Sequence, residues 1–125
     1  MKYLSFIRSS ESFRHMQPPP ALMEAIMNLG AEATASGALL DNGGLAPSAA
    51  GALVQLTGGH LSVVDGPFAE AKEFISYALY QVRSKEEAVQ WASRFMQLHL
   101  DLWPGWEGES TVLKVFGPED FAPPA

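Results

Sequence analysis

The segment that most constrains the fold is FISYALYQV, residues 74–82, because a strand there would be apolar on both of its faces. Side chains alternate between the two faces of a strand. Those predicted on one face are Ile75, Tyr77 and Leu79, and those on the other are Phe74, Ala78, Tyr80 and Val82. A strand that is apolar on both sides lies inside a layered fold, with helices on one side and further protein surface on the other.

Two helices are predicted, one before this strand and one after it. The first starts at Ala21, after three prolines that stop the preceding structure and suit a first helical turn, and it ends before Gly37. The second starts after Ser84, because a serine followed three residues later by Glu87 is typical of a capping box. Its predicted buried face holds Ala88, Trp91, Ala92, Phe95 and His99. Three further strands are predicted at residues 3–7, 38–40 and 111–116.

A β-hairpin is predicted just before the central strand. Gly58 and Gly59 separate two apolar runs, residues 53–57 and 60–64, and two glycines in that position favour a tight hairpin turn. The element order is then β-α-β-hairpin-β-α-β. With right-handed crossovers, this order predicts an α+β fold, a ferredoxin-like β-α-β-β-α-β sandwich with an inserted β-hairpin.

Such a sandwich covers only one face of its sheet with its own helices. The second face carries apolar residues of the 74–82 strand and needs a cover of its own. A homodimer in which two sheets face each other, an assembly of the dimeric α/β-barrel type, is the economical solution. The alternative is that the inserted hairpin folds across the sheet and leaves a monomer. The apolar second face favours the homodimer.

The charge pattern excludes several classes of partner. The 125-residue chain has a net charge of −6, and no Lys or Arg lies between Arg14 and Lys72. Nucleic acids and anionic membrane surfaces are bound by clustered basic residues, so neither nucleic acid nor a membrane is predicted as a partner. The N-terminal apolar stretch is too short for a signal peptide, and no run reaches the ~20 apolar residues of a spanning helix. The protein is therefore predicted to be cytoplasmic.

No metal and no cofactor is predicted. The chain has no cysteine, which excludes thiolate nucleophiles, iron–sulfur clusters and cysteine-rich zinc sites. Its three histidines, His15, His60 and His99, lack the spacing of metal ligands. No phosphate-binding glycine motif and no serine-hydrolase motif occurs in the sequence.

The segment DGPFAEAKE at residues 65–73 is the most distinctive in the chain. It resembles the signature of the YCII-related family, in particular its DGPF branch. The resemblance extends to the Met-Lys-Tyr start, to the Leu-Ala-Pro at residues 45–47 and to EAVQWA at residues 87–92, and it covers residues 1–116. The domain is accordingly predicted at residues 1–117. The proline-rich residues 118–125 are predicted to form a flexible tail.

The resemblance implies a dimeric α/β-barrel type of fold with a cleft near the DGPF loop. Some members of the wider family resemble small lyases that use an Asp/His pair, and members are often associated with extracytoplasmic-function sigma factors. Two classes of function follow. The first is a small-molecule-binding protein, with lyase or isomerase chemistry as its enzymatic form. The second is a non-catalytic accessory dimer, for instance in sigma-factor signalling. A structural dimer without a ligand is a third alternative, and whether the protein is an enzyme stays open.

Asp65 is the candidate catalytic residue. At the end of a strand and beside a cleft, a desolvated carboxylate with a raised pKa could act as a general base. The alternative is structural, because Asp-Gly-Pro also forms a turn in which the aspartate bonds the backbone two residues on. His60 and Asp65 are predicted on opposite faces of one strand, so they form no dyad within a chain. His99 is predicted near a helix C-terminus, where the helix dipole favours it.

A small organic acid is the expected ligand, and Lys72 would bind its carboxylate beside Asp65. The predicted ligand-binding residues are Gly66, Pro67, Phe68, Glu70, Lys72 and Glu73, with His15 from the loop after the first strand. The alternative for the charged members is a solvated surface with a local ion pair. Trp103 and Trp106 are predicted to pack their loop onto the domain or a second copy. A lid or a docking surface is the other interpretation of these two residues.

Overall fold

The computed structural model of the protein describes residues 1–14, 16–68 and 72–121. The strands are β1 (Lys2–Ser10), β2 (Leu39–Gly44), β3 (Ala52–Thr57), β4 (His60–Asp65), β5 (Lys72–Gln81) and β6 (Gly108–Val115). The helices are α1 (Glu11–Arg14), α2 (Pro20–Ala35) and α3 (Lys85–Leu102), with 3-10 turns at Ser48–Ala50 and Pro118–Asp120. The predicted order of strands and long helices is confirmed.

The main sheet has four strands in the order β2-β5-β1-β6, and each neighbouring pair is antiparallel. The central position of β5 follows from its two apolar faces, as the sequence predicts. The connections β1-α2-β2 and β5-α3-β6 each skip one strand, so that both long helices cover the same face. This is the arrangement of a ferredoxin-like α+β sandwich.

The two long helices begin and end at the predicted signals. Ser84 is the N-cap of α3, and its hydroxyl accepts a hydrogen bond from the Glu87 N–H at 3.1 Å. The Glu87 carboxylate in turn accepts from the Arg83 N–H at 3.1 Å, one residue earlier than in a standard capping box. Beyond α2, Gly37 has a φ of +81°, the left-handed conformation that glycine supplies after a helix.

The inserted hairpin is confirmed, and it forms a separate two-stranded sheet, β3–β4. We call residues 52–65 the arm. Its turn residues, Gly58 and Gly59, have φ values of +59° and +78°, as a tight two-residue turn requires. One face of the arm carries four apolar side chains that are between 66% and 75% exposed, and these form the arm stripe: Val54, Leu56, Leu61 and Val63. The arm therefore does not pack across the main sheet in the way a monomeric alternative requires.

The described residues also leave uncovered the face of the main sheet opposite the helices, and we call it the open face. On β1 the buried residues alternate with half-buried ones, and the half-buried set, which includes Leu4 and Phe6, points to the open face. Phe74, Leu113 and Val115 are exposed on the same side. The predicted apolar second face is thus present.

A β-bulge in β5 changes the predicted faces of two residues. Ile7 pairs with Ser76, whereas its neighbour Arg8 pairs with Phe74, so Ile75 is the extra residue. Phe74 consequently lies on the open face, 5.7 Å from the ring of Phe6, and Ile75 faces the helices. The predicted placement of Phe74 and Ile75 was wrong because regular alternation fails at a bulge.

Three local features differ from the sequence expectation. Strand β1 extends to Ser10, where the Ser9 hydroxyl donates to the Glu107 carbonyl at 2.8 Å. The short helix α1 follows at once and is not predicted by any pattern. Strand β2 continues through Asn42 and two glycines. Position 43 suits glycine because a Cβ atom there would lie 3.0 Å from the Tyr77 ring.

Two further expectations concern the membrane and the tail. Within the described residues, no helix combines the length and the apolar character that crossing a membrane requires. The tail begins with the turn at Pro118–Asp120, where the Lys114 ammonium donates to the Asp120 carboxylate at 3.3 Å. Residues 122–125 lie outside the described residues, so the predicted flexibility of the tail stays a prediction.

Candidate functional site

A cleft of about 440 Å³ lies between the helices and the main sheet. Interiors of proteins are close-packed, with few voids larger than a water molecule, so an unfilled space of this size is a candidate ligand site. The helices contribute Leu22, Ile26 and Leu29 from α2 and Trp91, Phe95 and His99 from α3. The floor is formed by the inner faces of β1, β2 and β5.

Small side chains on both layers leave the cleft open. The floor carries Ser5, Ser9, Ser76 and Ala78, none of which is long enough to reach the helices. In α2, Gly30 lines the cleft, and a Cβ atom added there would meet no atom within 4 Å. A glycine inside a helix can allow a close approach of helix and sheet, but the space beside Gly30 is a gap between the two layers.

Aromatic rings form one end of the cleft. Trp103 and Trp106 follow α3, with ring centroids 6.2 Å apart, and both line the cleft together with Phe13. Gly105 lies between the tryptophans with a φ of +83°, which permits the tight turn. Gly108 has no side chain to displace the Trp106 ring, which lies against it. The two tryptophans therefore pack onto their own domain, the first of the predicted alternatives.

His99 is an ionisable side chain of the cleft and is only 5% exposed. Its ring lies 4.3 Å from the Trp106 ring and 4.9 Å from the Phe95 ring, between centroids. Burial among these rings lowers the pKa of His99, and the hydrogen bond to the Phe95 carbonyl opposes that change in pKa only in part. The imidazole is therefore neutral at pH 7.

The neutral His99 ring has a defined tautomer. Nδ1 lies 3.0 Å from the Phe95 carbonyl oxygen, and a carbonyl can only accept, so Nδ1 carries the hydrogen and donates it. Nε2 then holds the lone pair. No described residue donates a hydrogen bond to Nε2, which makes it an available acceptor on a ring that lines the cleft.

The other polar groups of the cleft are largely engaged or neutral. The hydroxyls of Ser5 and Ser110 bond each other at 2.6 Å, and Ser9 bonds the Glu107 carbonyl. Burial raises the pKa of the Tyr80 phenol, which stays protonated. Of the described residues that line the cleft, none carries a formal charge at pH 7.

The DGPF segment lies at the base of the arm, where backbone contacts hold it. Asp65 ends β4 and is exposed. The Gly66 N–H donates to the Gly51 carbonyl at 3.0 Å, and a Cβ atom on Gly66 would overlap the Ser48 carbonyl oxygen. The Gly66–Pro67 peptide bond is cis. The Phe68 N–H lies 3.4 Å from the Ser48 hydroxyl oxygen. Gly66, Pro67 and Phe68 thus bring the end of the arm against the 3-10 turn.

Glu73 joins the same structural cluster. It is buried, and its carboxylate accepts the Ser48 hydroxyl at 2.8 Å and the Ser48 N–H at 3.3 Å. Lys72 points to the other face of β5, where its ammonium donates to Glu109 at 3.0 Å in an exposed ion pair. Both groups are thus engaged with protein partners. The predicted ligand-binding residues Glu70 and His15 lie outside the described residues.

The residues of the cleft were missed as a site because no local motif marks them. His99 and the tryptophans were noticed singly, and each has an ordinary structural explanation. The detectable signal is the set of small residues at alternate positions of β1 and β5, which face a helix with a glycine at its centre. In the described part of the chain, no group of three His, Asp or Glu side chains is arranged to hold a metal ion.

Comparison with known protein families identifies a related family. A family model described as the YCII-related domain matches residues 1–97, which span β1 to β5 and the first part of α3. A search of the curated proteins finds no match for the chain. The family match ends two residues before His99 and does not include the tryptophan loop.

Proposed function

The chain belongs to the YCII-related family, and we propose that it binds a small molecule in the cleft between its helices and its sheet. The resemblance of its sequence to this family implies a small-molecule-binding protein. The observation that carries this proposal is the unfilled volume of about 440 Å³. Volumes of 300–1,000 Å³ with mainly apolar walls and a few polar groups are typical of ligand sites. A ligand in the cleft therefore makes the packing contacts with the helices that the short side chains of the floor cannot make.

A lyase or isomerase reaction is the enzymatic form of this proposal. Such chemistry needs a proton acceptor beside the substrate. The sequence points to Asp65 for this role, and that hypothesis requires a ligand at the base of the arm. His99 is the acceptor that lines the cleft itself. A ligand at the base of the arm and a ligand in the cleft are therefore expected to respond differently to Asp65→Asn and Gly30→Leu.

The test is a thermal-shift screen of uncharged and acidic aromatic compounds with the wild type, Gly30→Leu and Asp65→Asn. A ligand at about 100 times its Kd stabilises the folded state by about 2.7 kcal/mol, which raises Tm by several degrees in a domain of this size. Leucine at position 30 extends into the cleft, so we expect Gly30→Leu to lose the shift. Met27→Leu is the matched control, since Met27 is exposed on the same helix.

The two candidate sites give opposite results in this screen. Binding in the cleft predicts that Asp65→Asn keeps the ligand shift and that Gly30→Leu loses it. Binding at the base of the arm predicts the reverse. If every compound that binds the wild type binds both variants equally well, the cleft is not the ligand site.

A second candidate function is a non-catalytic accessory homodimer, for instance one linked to extracytoplasmic-function sigma factors. The observation that favours it is the pair of exposed apolar surfaces, the open face and the arm stripe. Monomeric proteins rarely expose large contiguous apolar patches. We expect sedimentation equilibrium to give a dimer, and Leu113→Asp on the open face to shift it towards monomer. Met27→Asp on the outer side of α2 is the control, and a monomeric wild type would contradict the dimer.

A further inference from the structure

We propose that the cleft selects an uncharged aromatic molecule that carries a hydroxyl group, and that Nε2 of His99 accepts the hydrogen bond of that hydroxyl. This inference rests on the proposed function and names the class of ligand. It combines three features of the cleft: an available acceptor, aromatic walls, and walls without charge among the described residues.

The acceptor is the first of these features. Among the described residues, Nε2 of His99 is not one of the fully buried polar atoms without a partner, so it is reachable from the cleft, and a ligand hydrogen bond there contributes about 0.5–1.5 kcal/mol. Because the Nδ1 hydrogen of His99 is committed to the Phe95 carbonyl, Nε2 can only accept. The group that it meets must therefore bring its own hydrogen, as a hydroxyl does. A ligand ether or ketone at this point would place two acceptors against each other.

Aromatic rings surround this acceptor on more than one side. Trp106 and Phe95 flank His99, and Trp103 extends the row by one more ring. Flat π-systems stack or meet edge to face with such rings, which adds about 0.5–1.5 kcal/mol to simple burial. A planar aromatic ligand matches these walls better than a branched aliphatic one of equal volume.

The absence of charged groups from the described walls argues against the organic acid expected from the sequence. An ionised carboxylate that leaves water needs a cation or several donors. Lys72, the expected anion anchor, lies on the other face of β5 and pairs with Glu109. The groups of the described cleft that can titrate, His99, Tyr77 and Tyr80, are all neutral at pH 7. An uncharged ligand avoids this desolvation cost.

This selectivity belongs to the present chain rather than to the matched domain. His99, Trp103 and Trp106 all lie beyond residue 97, where the family match ends. The end of α3 and the loop after it therefore supply the acceptor and two of the rings. The floor of the cleft, on β1 and β5, lies inside the matched region.

Three probes with one ring system test the inference by isothermal titration calorimetry of the full chain. The probes are 2-naphthol, 2-methoxynaphthalene and 2-naphthoate, which present a neutral donor, a neutral group without a donor, and an anion. We expect 2-naphthol to bind most tightly. Loss of one neutral hydrogen bond predicts roughly three- to tenfold weaker binding of 2-methoxynaphthalene. Desolvation of the carboxylate predicts at least about a hundredfold weaker binding of 2-naphthoate.

His99→Phe then assigns the effect to the acceptor. Phenylalanine keeps a ring between Phe95 and Trp106 and removes Nε2, so the preference for 2-naphthol over 2-methoxynaphthalene should disappear. His60→Phe, at the exposed tip of the arm, is the control and should keep the preference. The comparison of probes on the wild type stays informative even if His99→Phe does not fold.

The outcomes separate this inference from the proposed function. Equal binding of 2-naphthol and 2-methoxynaphthalene, or preferential binding of 2-naphthoate, overturns the ligand class. If Gly30→Leu abolishes that binding, the cleft remains the site and only the class is wrong. Binding of the probes that is unaffected by Gly30→Leu overturns the cleft itself, and the inference with it.

Discussion

The DGPF segment and the cleft differ in how the chain specifies them. The segment is continuous in sequence and contains the most recognisable residues of the protein, and the described part of it contacts the 3-10 turn at Ser48–Ala50 through Gly66 and Glu73. The cleft is assembled from six elements and contains no motif. A recognisable signature therefore coincides here with tight packing, and the candidate ligand cleft lies elsewhere.

The difference has a physical basis. A close contact such as Gly66 against Ser48 allows only glycine at that position, so the contact can be recognised from the residue type in the sequence. A cavity only requires that its lining side chains be short, and serine, alanine and glycine satisfy this requirement in many combinations. The following predictions test whether the segment is structural and the cleft is functional, from the largest effect to the smallest.

The largest effect is expected from Gly66→Ala. The added Cβ atom would overlap the Ser48 carbonyl oxygen, and the neighbours are backbone atoms that cannot rotate away. We expect the free energy of unfolding to fall by about 3 kcal/mol in urea titrations. Gly30→Ala is the control and should be stabilised by about 1 kcal/mol, because its Cβ meets open space inside a helix. A Gly66→Ala protein as stable as the wild type would show that the segment is not held by packing.

A smaller loss of stability is expected from Glu73→Gln. The variant keeps the volume of the side chain but replaces one of two carboxylate oxygens that accept hydrogens from Ser48. The mismatch at a buried site should cost about 2 kcal/mol in the same titrations. Glu109→Gln on the exposed side of the sheet is the matched control, with no measurable loss expected. Retained stability in Glu73→Gln together with lost ligand binding would instead support a binding role for Glu73.

The burial of His99 in the cleft predicts a pH dependence of the free energy of unfolding. The pKa of His99 is lowered by folding, so between the unfolded pKa near 6.5 and the folded value the unfolded state binds one more proton. His99 should therefore leave stability intact above about pH 6.5 and reduce it as the pH falls below that value, with a slope of up to about 1.4 kcal/mol per pH unit.

Urea titrations at a series of pH values measure this slope. In His99→Phe the slope just below pH 6.5 should be shallower than in the wild type. The carboxyl groups of Glu32, Glu109 and Asp120 have pKa values lowered by their partners, and their contributions are lost only at more acidic pH. An unchanged slope in His99→Phe would mean that the imidazole is not desolvated.

The smallest effect is expected where α2 and α3 are joined above the cleft. The Arg94 guanidinium binds the Glu32 carboxylate through two nitrogens, one of them at 3.0 Å, and stacks 4.9 Å from the centre of the Trp91 ring. Exposed ion pairs contribute little and are screened by salt. We expect Glu32→Gln to lower Tm slightly at low salt and not at high salt. A large loss of stability would show that this pair holds the roof of the cleft in place.

The layered fold could be predicted because its signals are local. The doubly apolar strand, the Ser84 cap, Gly37 and the two turn glycines each specify one element, and they agree with one another. The bulge at Ile75 could not be predicted, because an extra residue changes the alternation without changing composition. The extension of β1 to Ser10 depends on partners almost a hundred residues away in sequence, such as the Glu107 carbonyl.

The candidate site was less predictable than the fold. Asp65 and Lys72 attract attention as charged residues in a motif, but whether a charge faces a cleft or water depends on the pairing of strands that are distant in sequence. His99 follows the apolar face of α3, as predicted, and the sequence does not reveal that the sheet opposite it carries serines rather than large side chains. The cleft is a property of two layers together.

The separate sheet of the arm has a consequence for the way the protein opens in solution. Within the part of the chain that the structure describes, strands β3 and β4 pair only with each other, so the amide hydrogen bonds of the arm can break without breaking any in the main sheet. Two-stranded sheets are marginally stable on their own. The arm should therefore exchange its amide hydrogens with solvent as an independent unit and long before the amides of β1 and β5.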